Sequence, residues 1–171
     1  MPLGRGDDRP GDRSPDRRGR AHRPSAAHGV ETRNVIYQGQ CETEFGRICL
    51  AAGRAEEGLA ALQRAASIGR LLGDRTMEGA ALDTTGLAYQ AMDRPQEAVD
   101  FHRLAIAGFR ELGDDWRVAG ALENLAAALD RTGNALAAAS HRREAVGLLR
   151  GYTDARARAL GAAVTARLPA E

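Results

Sequence analysis

Residues 72–111 read LGDRTMEGAALDTTGLAYQAMDRPQEAVDFHRLAIAGFRE, and residues 112–151 read LGDDWRVAGALENLAAALDRTGNALAAASHRREAVGLLRG. Laid one over the other, they coincide at ten positions: Leu72/Leu112, Gly73/Gly113, Asp74/Asp114, Ala81/Ala121, Leu82/Leu122, Ala88/Ala128, Ala98/Ala138, Arg103/Arg143, Ala105/Ala145 and Arg110/Arg150. The shared residues are helix punctuation or small and apolar side chains, the kinds that packing constrains. Self-similarity at a fixed period of this size marks an array of stacked structural units.

The punctuation extends the pattern in both directions. Asn34, Asp74, Asp114 and Asp154 stand forty residues apart, and Asn and Asp side chains accept hydrogen bonds from the free amides of a first helical turn. Gly73 and Gly113 stand just before two of these caps, where a left-handed residue closes the preceding helix. Each unit also breaks in its middle, at Gly53-Arg54-Ala55, Asp93-Arg94-Pro95 and Gly133-Asn134-Ala135. Pro95 suits a first helical turn, and Glu56, Glu57 and Glu97 suit the positive end of the helix dipole. Helices are therefore predicted at about 35–52, 55–71, 75–92, 95–111, 115–132, 135–150 and 154–168. The short turns force neighbours antiparallel.

Composition narrows the class further. Aromatic residues make up only 4% of the chain, so Ala and Leu must supply the core, which suits close-packed helices better than a sheet. All 24 basic residues are Arg. With so much Ala and Gly, this reads as the codon bias of a high-GC bacterium, and it removes every mechanism built on a lysine. Cys41 and Cys49 lie eight apart in a predicted helix, about 12 Å in rise, too far for a disulfide. Both read as small buried residues in a reducing cytoplasm. No run of apolar residues is long enough to span a membrane.

Residues 1–28 carry seven Arg, four Asp and four Pro and cannot bury enough apolar surface to fold. A disordered tail is expected over 1–33. A solvated tail of no specific role, a stretch read in from a start codon placed too far upstream, and a weak electrostatic arm all fit that composition.

The residues at the repeated positions resemble a tetratricopeptide repeat. Leu82, Gly86, Tyr89, Ala98 and Ala105 fit the pattern of one unit, and Leu122, Leu125, Ala126, Leu129, Ala138 and Ala145 that of the next. Phe45, Gly46, Cys49, Gly58, Leu62 and Ala65 fit the first unit more loosely, because Glu42 stands where Leu82 and Leu122 do. The forty-residue period, with Ala121-Leu122-Glu123-Asn124-Leu125-Ala126 and the Leu-Gly-Asp junctions, is similar to arrays at the C-termini of bacterial NB-ARC-type ATPase and antibiotic-regulatory transcription regulators.

The resemblance implies an all-α fold, a right-handed superhelical solenoid of antiparallel helix pairs. About three repeats (34–73, 74–113 and 114–153) would be followed by a capping helix, within a domain spanning 34–171. It also implies a concave groove lined by the first helix of each unit, serving protein–protein interaction in a signalling or regulatory system. By register the candidates are Gln40, Thr43, Glu44, Arg47, Asp83, Thr84, Leu87, Gln90, Glu123, Asn124, Asp130 and Arg131. Asn124 matches the position at which many family members clamp a peptide backbone, an amide that can both donate and accept. Glu44, Asp83, Glu123 and Asp130 would make the groove acidic, so a peptide or protein segment with basic or polar side chains is the expected partner.

No catalytic motif, cofactor loop or repeated metal-ligand set is present, so neither catalysis nor a cofactor is expected. The alternative reading is a nucleic-acid-binding repeat using Arg103, Arg110, Arg142, Arg143 and Arg150. Residues 29–171 hold 17 Arg against 19 acids, a net of about −2, which leaves little counterion-release driving force. Leu160, Val164 and Leu168 form a stripe expected to cap the array, which favours a monomer over a docked second copy.

Overall fold

The computed structural model describes residues 26–169, with side chains from Glu31 onward. Among the described residues seven helices follow one another: α1 (Ala26–Ala51), α2 (Ala55–Leu72), α3 (Arg75–Ala91), α4 (Pro95–Glu111), α5 (Asp115–Arg131), α6 (Ala135–Leu149) and α7 (Ala155–Thr165). Among the described residues there is no strand.

The turns are set by local backbone chemistry, and they recur every twenty residues. Gly53, Gly73, Gly113 and Gly133 all have φ between 66° and 81°, and Asp93 takes the same place with φ 59°. At each turn the amide of the next residue reaches back five: Arg54 to Cys49, Asp74 to Gly69, Arg94 to Tyr89, Asp114 to Phe109 and Asn134 to Leu129. This pairing satisfies carbonyls that a helix end otherwise leaves bare. The Asp74, Asp114, Asn134 and Asp154 side chains then accept from first-turn amides of the following helix.

Asp93 is the one turn residue of the five with a Cβ in left-handed backbone. Asp93→Gly is expected to stabilise the fold by about 0.5–1 kcal/mol, because it removes that steric cost. The Arg131 ion pair it gives up involves a carboxylate that is 92% exposed, and such pairs contribute little. A rise in Tm of about 2 °C checks it; a fall would mean that the ion pair outweighs the backbone.

Two boundaries differ from those read in the sequence: the start of α1, and the end of α7 at Thr165 rather than about 168. α1 begins at Ala26, so residues 26–33 are helix rather than tail, and Asn34 lies exposed inside the helix. Arg33 stands where Gly73 and Gly113 stand before the true caps, and without a left-handed residue the helix runs through. The rest of the expected tail, residues 1–25, lies outside the described residues. At the other end, Val164 is buried and Leu160 packs on the core cluster, so the α7 stripe faces inward onto α5 and α6.

Helices pair as α1–α2, α3–α4 and α5–α6, and each pair stacks on the next. Along the stack α3 touches α1 and α5, and α5 touches α7, whereas α2, α4 and α6 do not touch one another. One row of helices is thus drawn together and the other splayed apart. That difference curves the array and puts α1, α3, α5 and α7 on the inner face. The core is nearly all Ala, Leu and Val, and glycines let neighbours close in. A Cβ on Gly86 would sit 2.5 Å from the His102 ring, and one on Gly46 2.6 Å from Leu62. Glu42, the misfit of the first unit, is half-buried and receives both Nε and Nη2 of Arg64 on α2 at 2.8 Å, which holds its carboxyl below the usual carboxylate range. No helix of the described residues is long and apolar enough to cross a membrane.

Candidate functional site

The inner face holds a chain of recesses. One of about 350 Å³ lies where α1, α3, α5 and α7 converge; its floor includes Ala80, Asp83, Gly120, Ala121 and Asn124, and Arg47, Trp116, Arg117, Arg156 and Leu160 rise around it. A second, of about 380 Å³, lies between α1 and α3 and is lined by Gln40, Thr43, Glu44, Arg47, Asp74, Thr76, Met77 and Ala80. A third is bounded by Arg47, Asp83, Thr84, Leu87 and Asn124. Shared walls at Arg47, Asp83 and Asn124 make them one groove. Ala80, Gly120 and Leu160 in the first recess, and Gln40 in the second, stand forty residues apart, so the groove floor follows the repeat.

Eight of the twelve sequence candidates line this groove: Gln40, Thr43, Glu44, Arg47, Asp83, Thr84, Leu87 and Asn124. The other four are engaged between helices. Glu123 and Asp130 both reach Arg142 on α6, at 3.2 Å from Nε and 2.6 Å from Nη2, and Arg167 takes the second Glu123 oxygen. Arg131 donates to the Gln90 carbonyl and to Asp93. Gln90 donates its side-chain amide to the Asn124 carbonyl at 3.2 Å and contacts His102 Nε2 at 3.0 Å.

His102 is fully buried, and its Nδ1 lies 2.7 Å from Asp83 Oδ1. With the Gln90 amide donating to Nε2, Nδ1 carries the ring proton and donates to Asp83. The other Asp83 oxygen accepts from Asn124 Nδ2 at 2.9 Å. This cluster and the Glu123–Arg142–Asp130 cluster are the same arrangement one unit apart. Residues 83 and 123, 90 and 130, and 102 and 142 are equivalent at the forty-residue period. The central side chain of α4 or α6 inserts between two polar groups of the helix before it. In the first unit the equivalent positions hold Leu62 and Thr43, both buried, and the threonine hydroxyl donates to its own helix at Gly39.

These pairings remove part of the acidity read from the sequence. Of the four carboxylates expected to make the groove acidic, Glu123 and Asp130 are neutralised by arginines, and Asp83 has both oxygens bonded. Glu44 remains, exposed and 3.9 Å from Arg47. Around the main recess stand three guanidiniums, Arg47, Arg117 and Arg156, against Asp83 alone. Arg117 pairs with Asp114, and Arg156 lies over the Trp116 ring, 5.3 Å from its centroid, a cation–π contact. Trp116, Arg117 and Arg156 were not among the sequence candidates. Trp116 and Arg156 are forty apart, one helical turn before the expected rows, and that spacing was the available signal. Arg142, one of the arginines of the nucleic-acid alternative, is buried, and Arg110 is paired with Glu144.

Residues 40–111 match the family model of the tetratricopeptide repeat. The fold is that of a tetratricopeptide repeat. The TPR domain of Arabidopsis FLU is similar to the chain with a TM-score of 0.63, over 70% of this chain and 98% of that one, at 18% identity; at that identity the likeness is one of fold. No curated protein matches the chain. Tetratricopeptide folds generally mediate protein–protein interaction. Here the helices that form the inner surface of the repeat also carry most of the candidate groove residues.

Proposed function

We propose that the chain is a non-catalytic binding module whose inner groove holds a polar or acidic segment of a protein partner. The observation that carries the reading is the ring of Arg47, Arg117 and Arg156 around a recess whose only carboxylate is already hydrogen-bonded twice. Asn124 has its amide nitrogen on Asp83 and offers its side-chain oxygen as an acceptor for a backbone amide of the segment. The sequence alone pointed to a basic or polar partner by taking Glu44, Asp83, Glu123 and Asp130 as free; the acidic reading rests on the pairings of the last three. The setting we infer is a bacterial signalling or transcription-regulatory system, in the cytoplasm; the all-arginine composition, the Ala-Leu-Glu-Asn-Leu core and the Leu-Gly-Asp junctions support it.

Trp116, the single tryptophan of the chain, lines the recess and provides the readout. Acidic peptides titrated into the protein are expected to change its fluorescence, with affinity falling as salt rises through screening of the exposed arginines. Arg47→Ala and Arg156→Ala should each weaken binding about threefold to tenfold, as loss of one interfacial charge does. A preference for arginine-rich over glutamate-rich peptides would overturn the reading.

A further inference from the structure

Buried polar chemistry in this array lies not at the cysteines, of which Cys41 is exposed against expectation, but around His102 and Arg142. The two clusters differ in where they end. Glu123 spends its second oxygen on Arg167, and buried Val164 stands one unit after Asn124. Asp83 spends its second oxygen on Asn124, whose side chain lines the groove.

The direction of every hydrogen bond in the His102 cluster follows from one group that can only accept. The Asn124 main-chain carbonyl lies 3.2 Å from Gln90 Nε2, and His102 Nε2 lies 3.0 Å from the same nitrogen. Turning the Gln90 amide over would set two carbonyl oxygens against each other, so its two N–H groups go one to each neighbour. His102 Nε2 then accepts and Nδ1 carries the proton. Asp83 accepts at Oδ1 from the ring and at Oδ2 from Asn124 Nδ2. The bonds thus start at the main chain of residue 124 and return to its side chain, and a fully satisfied network of this kind is rigid. Gly86 makes room for it. A Cβ there would lie 2.5 Å from the ring Cε1 and 2.6 and 2.7 Å from its nitrogens.

We infer that His102 is a positioning residue of the groove: through Asp83 it fixes the Asn124 amide with its nitrogen turned inward and leaves only its oxygen for a ligand. Asn124 is half-buried, and its Oδ1 has no partner among the described residues. An asparagine able to turn can donate, accept or do both; this one accepts. The site therefore selects a segment that brings an N–H group, and the main-chain amide is one that every protein segment carries. That selectivity rests on the protein-segment reading above; the fixed amide does not.

Side-chain isosteres separate positioning from packing. In His102→Asn the amide nitrogen reaches the place of Nδ1 and keeps a donor for Asp83. In His102→Gln it reaches the place of Nε2, and Asp83 Oδ1 is left without one. Nitrogen–proton correlation NMR of the free full chain is expected to show the His102 ring protonated at Nδ1 alone. One of the two Asn124 side-chain protons should exchange slowly with solvent. His102→Asn keeps that slow proton, whereas in His102→Gln its exchange quickens by about tenfold or more, the scale of one hydrogen bond to a charged group. A ring protonated at Nε2 alone, or Asn124 exchange that does not differ between the variants, would overturn the inference. The tautomer is read in the parent chain, so it decides even where a variant fails to fold.

Hexaglutamate, followed by Trp116 fluorescence, tests the groove separately. His102→Asn should bind it as the parent does, and His102→Gln about fivefold more weakly. Hexaglutamate methylated at its main-chain nitrogens should also bind the parent about fivefold more weakly, a difference that Asn124→Ala removes. Equal affinity of the parent for the two peptides would sink the N–H selectivity. If neither peptide binds the parent, the acidic-segment reading falls, and the tautomer and the amide exchange decide the positioning role by themselves.

Discussion

Arg142→Leu is expected to destabilise the third unit by about 3 kcal/mol or more, the scale for removing one partner of a buried ion pair. The Arg142 side chain is buried between Glu123 and Asp130. Burial works against its charge, but the Asp130 and Glu123 carboxylates outweigh that and hold its pKa above the ordinary arginine value. With leucine there, Glu123 keeps only Arg167, from the far side, and one carboxylate oxygen faces an apolar neighbour. Asp130 is exposed enough to rehydrate, so the cost concentrates on Glu123. For a chain of this size the loss corresponds to a fall in Tm of roughly 10 °C. Because a repeat array transmits stability only between neighbours, hydrogen exchange should accelerate in α5, α6 and α7 and stay near its original rate in α1 and α2.

The first unit supplies the control. Its equivalent positions hold Thr43 and Leu62, both buried, and the threonine hydroxyl donates to the carbonyl four residues back at 3.0 Å. Glu123→Thr combined with Arg142→Leu writes that solution into the third unit. The exposed Arg167 loses a partner at little cost, and both buried charges are gone. The double variant should recover most of the lost stability, since removing both partners of a buried pair is often neutral. If Arg142→Leu alone matches the parent in thermal unfolding, or the double variant is no better than the single, the cluster is not what holds α5 to α6.

Most of the architecture was legible in the sequence because it is set locally. Gly73 and Asp74 close one helix and open the next through their own backbone and side chain, and Gly113 with Asp114 repeats the device. Asn34 misled because a cap residue was read without its glycine: Arg33 precedes it, and the helix passes through. The site was less legible because its chemistry crosses between helices. Asp83, Glu123 and Asp130 look like free groove acids until the residue 12 or 19 positions later is brought against them by the turn. Both clusters use those same two offsets, but the central residue is His102 in one and Arg142 in the other. Comparing identities does not align them; comparing polarity would. Trp116 and Arg156 escaped for a related reason: they occupy equivalent positions with unlike side chains, Thr76 standing before them in the series.

Gly69→Ala should destabilise the junction of the first two units, although alanine is the better helix former by about 1 kcal/mol. A Cβ at residue 69 would lie 2.6 Å from the Glu78 amide nitrogen, 3.0 Å from its Cα and 3.1 Å from the Asp74 carbonyl. All three are backbone atoms, so no rotamer change relieves the contact and α3 must move away from α2. Overpacking of this kind costs about 1–3 kcal/mol, and here it also loosens the contact of Arg70 on α2 with Glu78 on α3. Arg70 and Arg75 each donate to that carboxylate at 3.0 Å. Burial alone would raise its pKa, but their hydrogen bonds bring it below the ordinary value. Gly108→Ala and Gly147→Ala are the comparison, since a Cβ at either helical position meets nothing within 4 Å. Those two should raise Tm and Gly69→Ala should lower it, a difference of sign that composition alone does not anticipate. The equivalents of Gly69 are Phe109 and Leu149, so the close approach belongs to this one junction and is not a rule of the repeat. A rise in Tm for Gly69→Ala would mean that the two helices yield there without cost.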